Sequence, residues 1–366
     1  MRTKTLLFLL LASAGGMAQM QKTNNLILVT IDGYRWQEVF QGGDSAILFN
    51  KKYRVQDSAA VMHKYWAATP AERRAKLMPF FWDTIAAKGQ LYGNRELGNE
   101  VNVKNKYWFS YPGRSETLCG YYDSLVNSND YPNNPNENVL EWINKQPGYA
   151  GQVAAFASWD AVARILNRDR SGLMLNNTFE PVKGSPLTEA QQLANELQYY
   201  LPSYFGSIER FDVTTYAIAR SYMTAHHPKV VYLDFGDPDE LAHAGQYDLY
   251  LDAGHYLDAM IGSLWNLVQQ DAFYKDNTTI MIFPDHGRGV HEKWTDHGSS
   301  VPGADQTWLA VLGPGKPLQR GEIKMGARLY QQQFAQTAAG LLGLVFTANH
   351  PVAAAVKTVL ASAANR

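Results

Sequence analysis

The sequence predicts a doubly wound α/β fold, a mostly parallel sheet sandwiched between helices in three layers. Three observations lead to it. Five apolar runs rich in β-branched residues recur along the chain, each ending in a turn. Within each run the apolar residues are continuous and do not alternate, which suits strands covered on both faces. Helical periodicity fills several of the intervals, and strand alternating with helix is the pattern of such a sandwich.

The runs are "NLILVTIDG" (25–33), "GQVAAFASWD" (151–160), "KVVYLDFGDPD" (229–239), "TTIMIFPDHG" (278–287) and "TWLAVLGPG" (307–315). Helical patterns cover 208–226, 256–270 and 331–344. The stretches 35–108 and 121–149 read as decoration at one end of the sheet. "VNSNDYPNNPNEN" (126–138) reads as a surface loop.

Of the 366 residues, 46% are hydrophobic and 18% charged, enough for a substantial core. The formal net charge of −1 provides no global basic field for nucleic acid. Arg2 and Lys4 precede the apolar run "LLFLLLASA", and small residues follow near Ala18. This is the layout of a secretory signal peptide over 1–18, leaving 19–366 as a single catalytic domain with surface insertions. The run is too short to span a bilayer comfortably, and no other segment is long and apolar enough. The expected location is therefore secreted or periplasmic. A single cysteine, Cys119, excludes an intrachain disulfide and favours a bacterial periplasm.

In open α/β sheets, ligands bind at the carboxyl ends of the strands. Asp32 follows the first run; Asp237, Asp239 and His243 follow the third; Asp285 and His286 follow the fourth; His297 shortly precedes the fifth. Carboxylate oxygen and imidazole nitrogen are ligands for zinc. Asp239 and His243 stand at i and i+4, one face of a helix. A lone Asp-His pair is more often a capped turn, but four such pieces at strand ends point to metal. Ser115 follows the Pro112-Gly113 turn, where it reads either as a helix cap or as a metal-activated nucleophile.

These residues resemble the alkaline phosphatase superfamily. "VTIDG", a downstream Pro-x-x-Ser turn, "DPDELAH", "PDHG" and "DHGSSVPGADQTWLAVLGPG" occur in that superfamily's order. The resemblance implies two divalent ions, one held by Asp32, Asp285 and His286 with Ser115, the other by Asp239, His243 and His297. It also implies in-line attack by Ser115 on a phosphate ester through a phosphoseryl intermediate. The ligand types favour zinc, with manganese as the alternative. Arg114 and Arg288 are the candidate substrate contacts, since arginine binds phosphate bidentately. Glu116, beside the nucleophile, has no role in this scheme, and Arg35 and Lys104 have none assigned.

Among the branches, arylsulfatases carry Cys/Ser-x-Pro/Ala-Ser-Arg, which "RSETLCG" lacks. The Phe-Pro-Asn-His of nucleotide pyrophosphatases is also missing, and the span from Ser115 to Asp239 is too short for the second domain of a phosphoglycerate mutase. The expected activity is hydrolysis of a small phosphate ester, monoester or diester. The alternatives are a non-catalytic metal-binding protein of the same fold, a phosphoryl transferase and a sulfatase-like hydrolase.

Overall fold

The computed structural model describes residues 19–20, 22–184, 186–315, 317–324 and 326–362. The proposed leader, 1–18, lies outside the described residues. The main sheet has eight strands: β1 Asn25–Ile31, β2 Gln90–Tyr92, β3 Val153–Ala157, β4 Met174–Asn177, β5 Val230–Phe235, β6 Thr278–Phe283, β7 Leu309–Leu312 and β8 Gly321–Glu322. Their spatial order is β8-β2-β7-β6-β1-β5-β3-β4. β7 runs antiparallel to both of its neighbours, while every other pairing is parallel.

All five apolar runs form strands, and the fold class matches the expectation. The fifth differs in direction, and this matters for the site. Because β7 is reversed, its entry lies at the same edge as the exits of the parallel strands. A residue just before β7 therefore meets residues just after β1, β5 and β6. The other three strands, β2, β4 and β8, are short and carry no long apolar run.

The principal helices are α1 Ser110–Cys119, α2 Glu189–Tyr200, α3 Asp212–His226, α4 Asp237–His243, α5 Tyr247–Gln270 and α6 Phe334–Leu341. The side chains of β1 divide by parity, as a pleated strand requires. Ile27, Val29 and Ile31 enter one core with residues of α3 and α5. Leu26 and Leu28 enter a second core, with Leu118 of α1 and Phe334, Ala335 and Ala338 of α6. Burying each such side chain is worth about 1.5–3 kcal/mol, so both faces of β1 anchor the edge from which Asp32 projects.

The segment 35–108 does more than decorate. It contributes β2 to the sheet, and its helix Pro70–Leu77 packs on α5. Its Arg35 pairs with Glu38 inside the core, which removes it from any contact with substrate.

Candidate metal centre

The exits of β1, β5 and β6 are adjacent in the sheet, and they bring the predicted ligands together. Asp32 follows β1 directly. Gly33, at φ +56, turns the chain away, and a methyl group there would collide with the Asp239 carboxylate. Asp285 accepts backbone N–H bonds on Oδ1 from Gly33 (3.1 Å) and His286 (2.9 Å). Its Oδ2 is thereby left to face the cluster.

The first set of ligand atoms is compact. Asp32 Oδ1 is 3.1 Å from His286 Nε2, which is 3.7 Å from Asp285 Oδ2. Nδ1 of His286 donates to the Gly287 carbonyl at 2.8 Å, which fixes the ring and turns Nε2 inward, as is common for metal-bound histidines. In the second set, Asp239 Oδ2 lies 3.0 Å from His243 Nε2 and 3.7 Å from His297 Nε2. The two histidine Nε2 atoms are 2.9 Å apart, and Nδ1 of His297 is buried without a partner. Ligand atoms about 2.0–2.1 Å from a tetrahedral zinc lie about 3.3 Å apart, so both sets have the spacing of a metal site. His286 Nε2 is 4.0 Å from Asp239 Oδ1, and the His286 and His297 rings are 4.2 Å apart, which puts the two sets side by side.

The electrostatics divide the ligands: burial raises Asp285 to about 7, and although burial opposes protonation of His286, Asp285 and Asp32 raise it above an ordinary imidazole. Burial opposes ionisation of Asp32, but Arg114 and His286 outweigh it and hold the carboxyl well below the usual range. Burial, reinforced by the positive His286 and Arg288, pushes His297 well below an ordinary imidazole. An ionised Asp32 and a neutral His297 are the forms that bind a cation.

The serine that stands at the cluster is not the one expected. Ser115 is five residues into α1, away from this cluster, where it accepts a hydrogen bond from Asn134 at 2.8 Å. Ser110, the first residue of α1, stands there in its place: its Oγ is 3.3 Å from His286 Nε2 and 3.5 Å from Asp32 Oδ1. Five residues along a helix is about 140° of rotation and about 7.5 Å of rise, so only one of the two serines can face the ligands.

Two further features hold Ser110. Gly113 lets α1 lie against the exit of β6, where any side chain would strike the Asp285 carbonyl. Replacing Gly113 by alanine is expected to cost about 1–3 kcal/mol of stability through overpacking. It should also lower metal affinity, as followed by metal titration of the variant. The second feature is Glu116, whose carboxylate accepts from the backbone N–H groups of Lys104, Asn105 and Gln332 and from the Asn105 side chain. Asn105 in turn caps the turn through Tyr107 and Trp108. Glu116 thus fixes the loop that enters α1 at Ser110, and burial raises its pKa to about 7.

Neither arginine is free for substrate. Arg114 is 1% exposed. It donates to Asp234 through Nε (2.7 Å) and Nη2 (3.0 Å), pairs with Asp32 at 3.0 Å, and also contacts Asp285. Arg288 contacts Asp239 and donates to the carbonyls of Trp294 and Thr295. Both act on the ligands: Arg114 orients Asp32 and Asp285, and Arg288 ties Asp239 to the turn before His297. Asp234, at the end of β5 and absent from the sequence-derived set, is fully buried and anchors Arg114. Asp237 turns away from the cluster and accepts from the backbone N–H of Asp212.

Residues 188–303, which include Asp239, His243, Asp285, His286 and His297, match the model of the Metalloenzyme superfamily. No curated protein matches the chain. Among solved structures, lipoteichoic acid synthase LtaP of Listeria monocytogenes superposes with a TM-score of 0.56 at 11% identity, over 93% of this chain and 76% of that one. Phosphonate monoester hydrolase of Agrobacterium radiobacter gives 0.55 at 14%, over 92% and 77%. A 2-O GAG sulfatase gives 0.53 at 14%, over 93% and 74%. The partial family match and the shared fold agree with the resemblance to the alkaline phosphatase superfamily read from the sequence. The three-layer fold is shared with these structures, and the family match together with the clustered carboxylates and histidines points to use of divalent metal.

The signal for Ser110 lies in the sequence itself. "SYPGR" over 110–114 is Ser-x-Pro-x-Arg, the sulfatase-type pattern with Gly113 in place of its second serine. Searching for that pattern from Ser115 onward starts five residues too late.

Proposed function

We propose that the protein is an exported, metal-dependent ester hydrolase that uses Ser110 as nucleophile on a small phosphoric ester or a related phosphonate ester. The observation that carries this reading is the position of Ser110 Oγ beside His286 Nε2 and Asp32 Oδ1. Asp32, Asp285, His286 and Ser110 would hold one divalent cation, and Asp239, His243 and His297 a second, with zinc favoured by the donor set. Such cations, when bound, lower the pKa of a serine hydroxyl and offset charge on the substrate oxygens.

The rest follows from the chain's own residues. Ser110 is the first residue of a ten-residue helix, whose positive dipole end favours an anion. In-line attack by its oxygen would form the Ser110–phosphorus bond as the ester bond to the leaving alcohol breaks, and water would then release Ser110. Arg114 and Arg288 are both occupied by carboxylates, so few fixed cations remain for the extra negative charge of a phosphate monoester. This favours a singly charged substrate, a phosphodiester or a phosphonate monoester. The Ser-x-Pro-x-Arg pattern favours a sulfate ester as the second reading, while the complete second ligand set favours phosphorus.

Two results are expected. Metal analysis should find two ions per chain, with hydrolysis of diester and phosphonate substrates exceeding that of monoesters and sulfates. His297→Ala should lose the ion of the second set while His286→Ala loses the first, as read from crystal structures of each variant with anomalous scattering. Two ions without turnover of any ester in the panel would reduce the protein to a metal-binding relative of the fold.

A further inference from the structure

On the side of α4 turned away from the metal cluster lies a cavity of about 720 Å³, bordered by Asp237 and Leu241, one helical turn apart. Sites for small organic ligands occupy about 300–1,000 Å³, so this cavity is of ligand size. Its walls carry four aromatic rings: Tyr204, Phe205, Phe211 and Tyr256. Three of them form one preformed surface. Phe205 meets Tyr204 at 5.1 Å and Phe211 at 5.2 Å, and Tyr204 stacks on Phe211 at 6.1 Å. The cavity opens to solvent, since Tyr204, Val213 and Tyr256 are more than half exposed.

Its walls carry acids and no base. Asp212, Asp237 and Asp252 border it, and no lysine, arginine or histidine does so. Asp252 is engaged by Lys64, Tyr65 and Gln56. Asp212 accepts from Ser158 and from the N–H groups of Gly236 and Asp237. Arg210 reaches Asp212 only through the hydroxyls of Thr215 and Ser158. Asp237 is the one left open: Oδ1 accepts from the Asp212 N–H, and among the described residues Oδ2 accepts no hydrogen bond. A neutral apolar ligand would cover that oxygen without pairing it. An anion would confront three carboxylates. A cation with an apolar body suits both the acidic wall and the electron-rich ring faces.

We propose that this cavity is a binding site for a lipophilic ammonium ion, a quaternary nitrogen carrying an alkyl or aryl group. It is separate from the ester site and stands whether or not Ser110 is the nucleophile.

The test is calorimetric titration of the metal-loaded protein with three probes sharing one alkyl chain: hexyltrimethylammonium, 1-hexanol and hexanesulfonate. The cation is expected to bind one per chain with a Kd at least about tenfold below that of hexanol, and the sulfonate not to bind. Met260→Trp should fill the cavity and weaken cation binding at least about tenfold. Ala259→Phe, at an exposed lining position, should do the same and decides the matter alone if the tryptophan variant does not fold. Absence of cation binding, equal affinity for cation and alcohol, or binding unchanged in a folded cavity-filling variant would each overturn the proposal.

Discussion

Replacing Ser110 by alanine is expected to lower kcat on an aryl phosphodiester by at least about 10³-fold, since removing a nucleophile leaves only binding and electrostatic contributions. The same substitution at Ser115 should leave kcat close to wild type. Ser115 accepts one hydrogen bond, from Asn134, and its loss is worth about 1 kcal/mol of stability. Steady-state kinetics and denaturant unfolding of both variants separate the two readings. Both should keep their metal, because Asp32, Asp285 and His286 remain in place around the first set. Full activity in Ser110→Ala, or an inactive but stably folded Ser115→Ala, would restore the nucleophile to position 115.

That Ser110 and not Ser115 meets the cluster has a specific physical cause. Pro112 and Gly113 look like a turn that must precede the helix, which makes Ser115 the first helical candidate. A proline in the first turn of a helix lacks an N–H that would have had no partner there. The helix therefore starts before Pro112, at Ser110. Gly113 is required by the close approach of the Asp285 backbone, and no rule of local sequence reveals such an approach.

The clustered carboxylates and histidines are legible for the opposite reason. Each stands next to a strong local element: Asp32 after β1, Asp239 and His243 on a helix after β5, Asp285 and His286 after β6. His297 is legible as a residue shortly before the fifth run, but its meeting with the others is not. Its arrival depends on the reversal of β7 and on the loop that the Gly287 N–H closes onto the Ala304 carbonyl at 2.8 Å. The partners behind the ligands were not legible. Asp234 reads as one acidic residue inside a strand, and its contact with Arg114 joins positions 120 residues apart. Arg114 and Arg288 read from sequence as phosphate contacts, because sequence does not show that buried carboxylates already occupy them.

Arg114→Met is expected to produce the largest loss of stability in the chain. The guanidinium is the cation shared by Asp32, Asp234 and Asp285, all of them buried. Removing one partner from a buried ion pair costs about 3–5 kcal/mol, because the remaining charge is left uncompensated. The effect should depend on pH in a definite direction. Burial opposes ionisation of Asp32, and Arg114 is the largest influence holding its folded pKa below the unfolded value. In the wild type this adds stability above the unfolded carboxyl pKa and is lost as pH falls through the folded one. Without Arg114 the buried carboxyls take up protons on folding, so the variant loses stability as pH rises. The gap between variant and wild type should therefore widen from pH 5.5 to pH 8, measured by denaturant unfolding in the presence of a chelator. Arg114→Lys keeps the charge but not the fork that reaches three carboxylates, so it should recover only part of the loss. If Arg114→Met instead unfolds like wild type at both pH values yet loses turnover, the arginine acts on substrate, and the ligand carboxylates must be held apart by some other group.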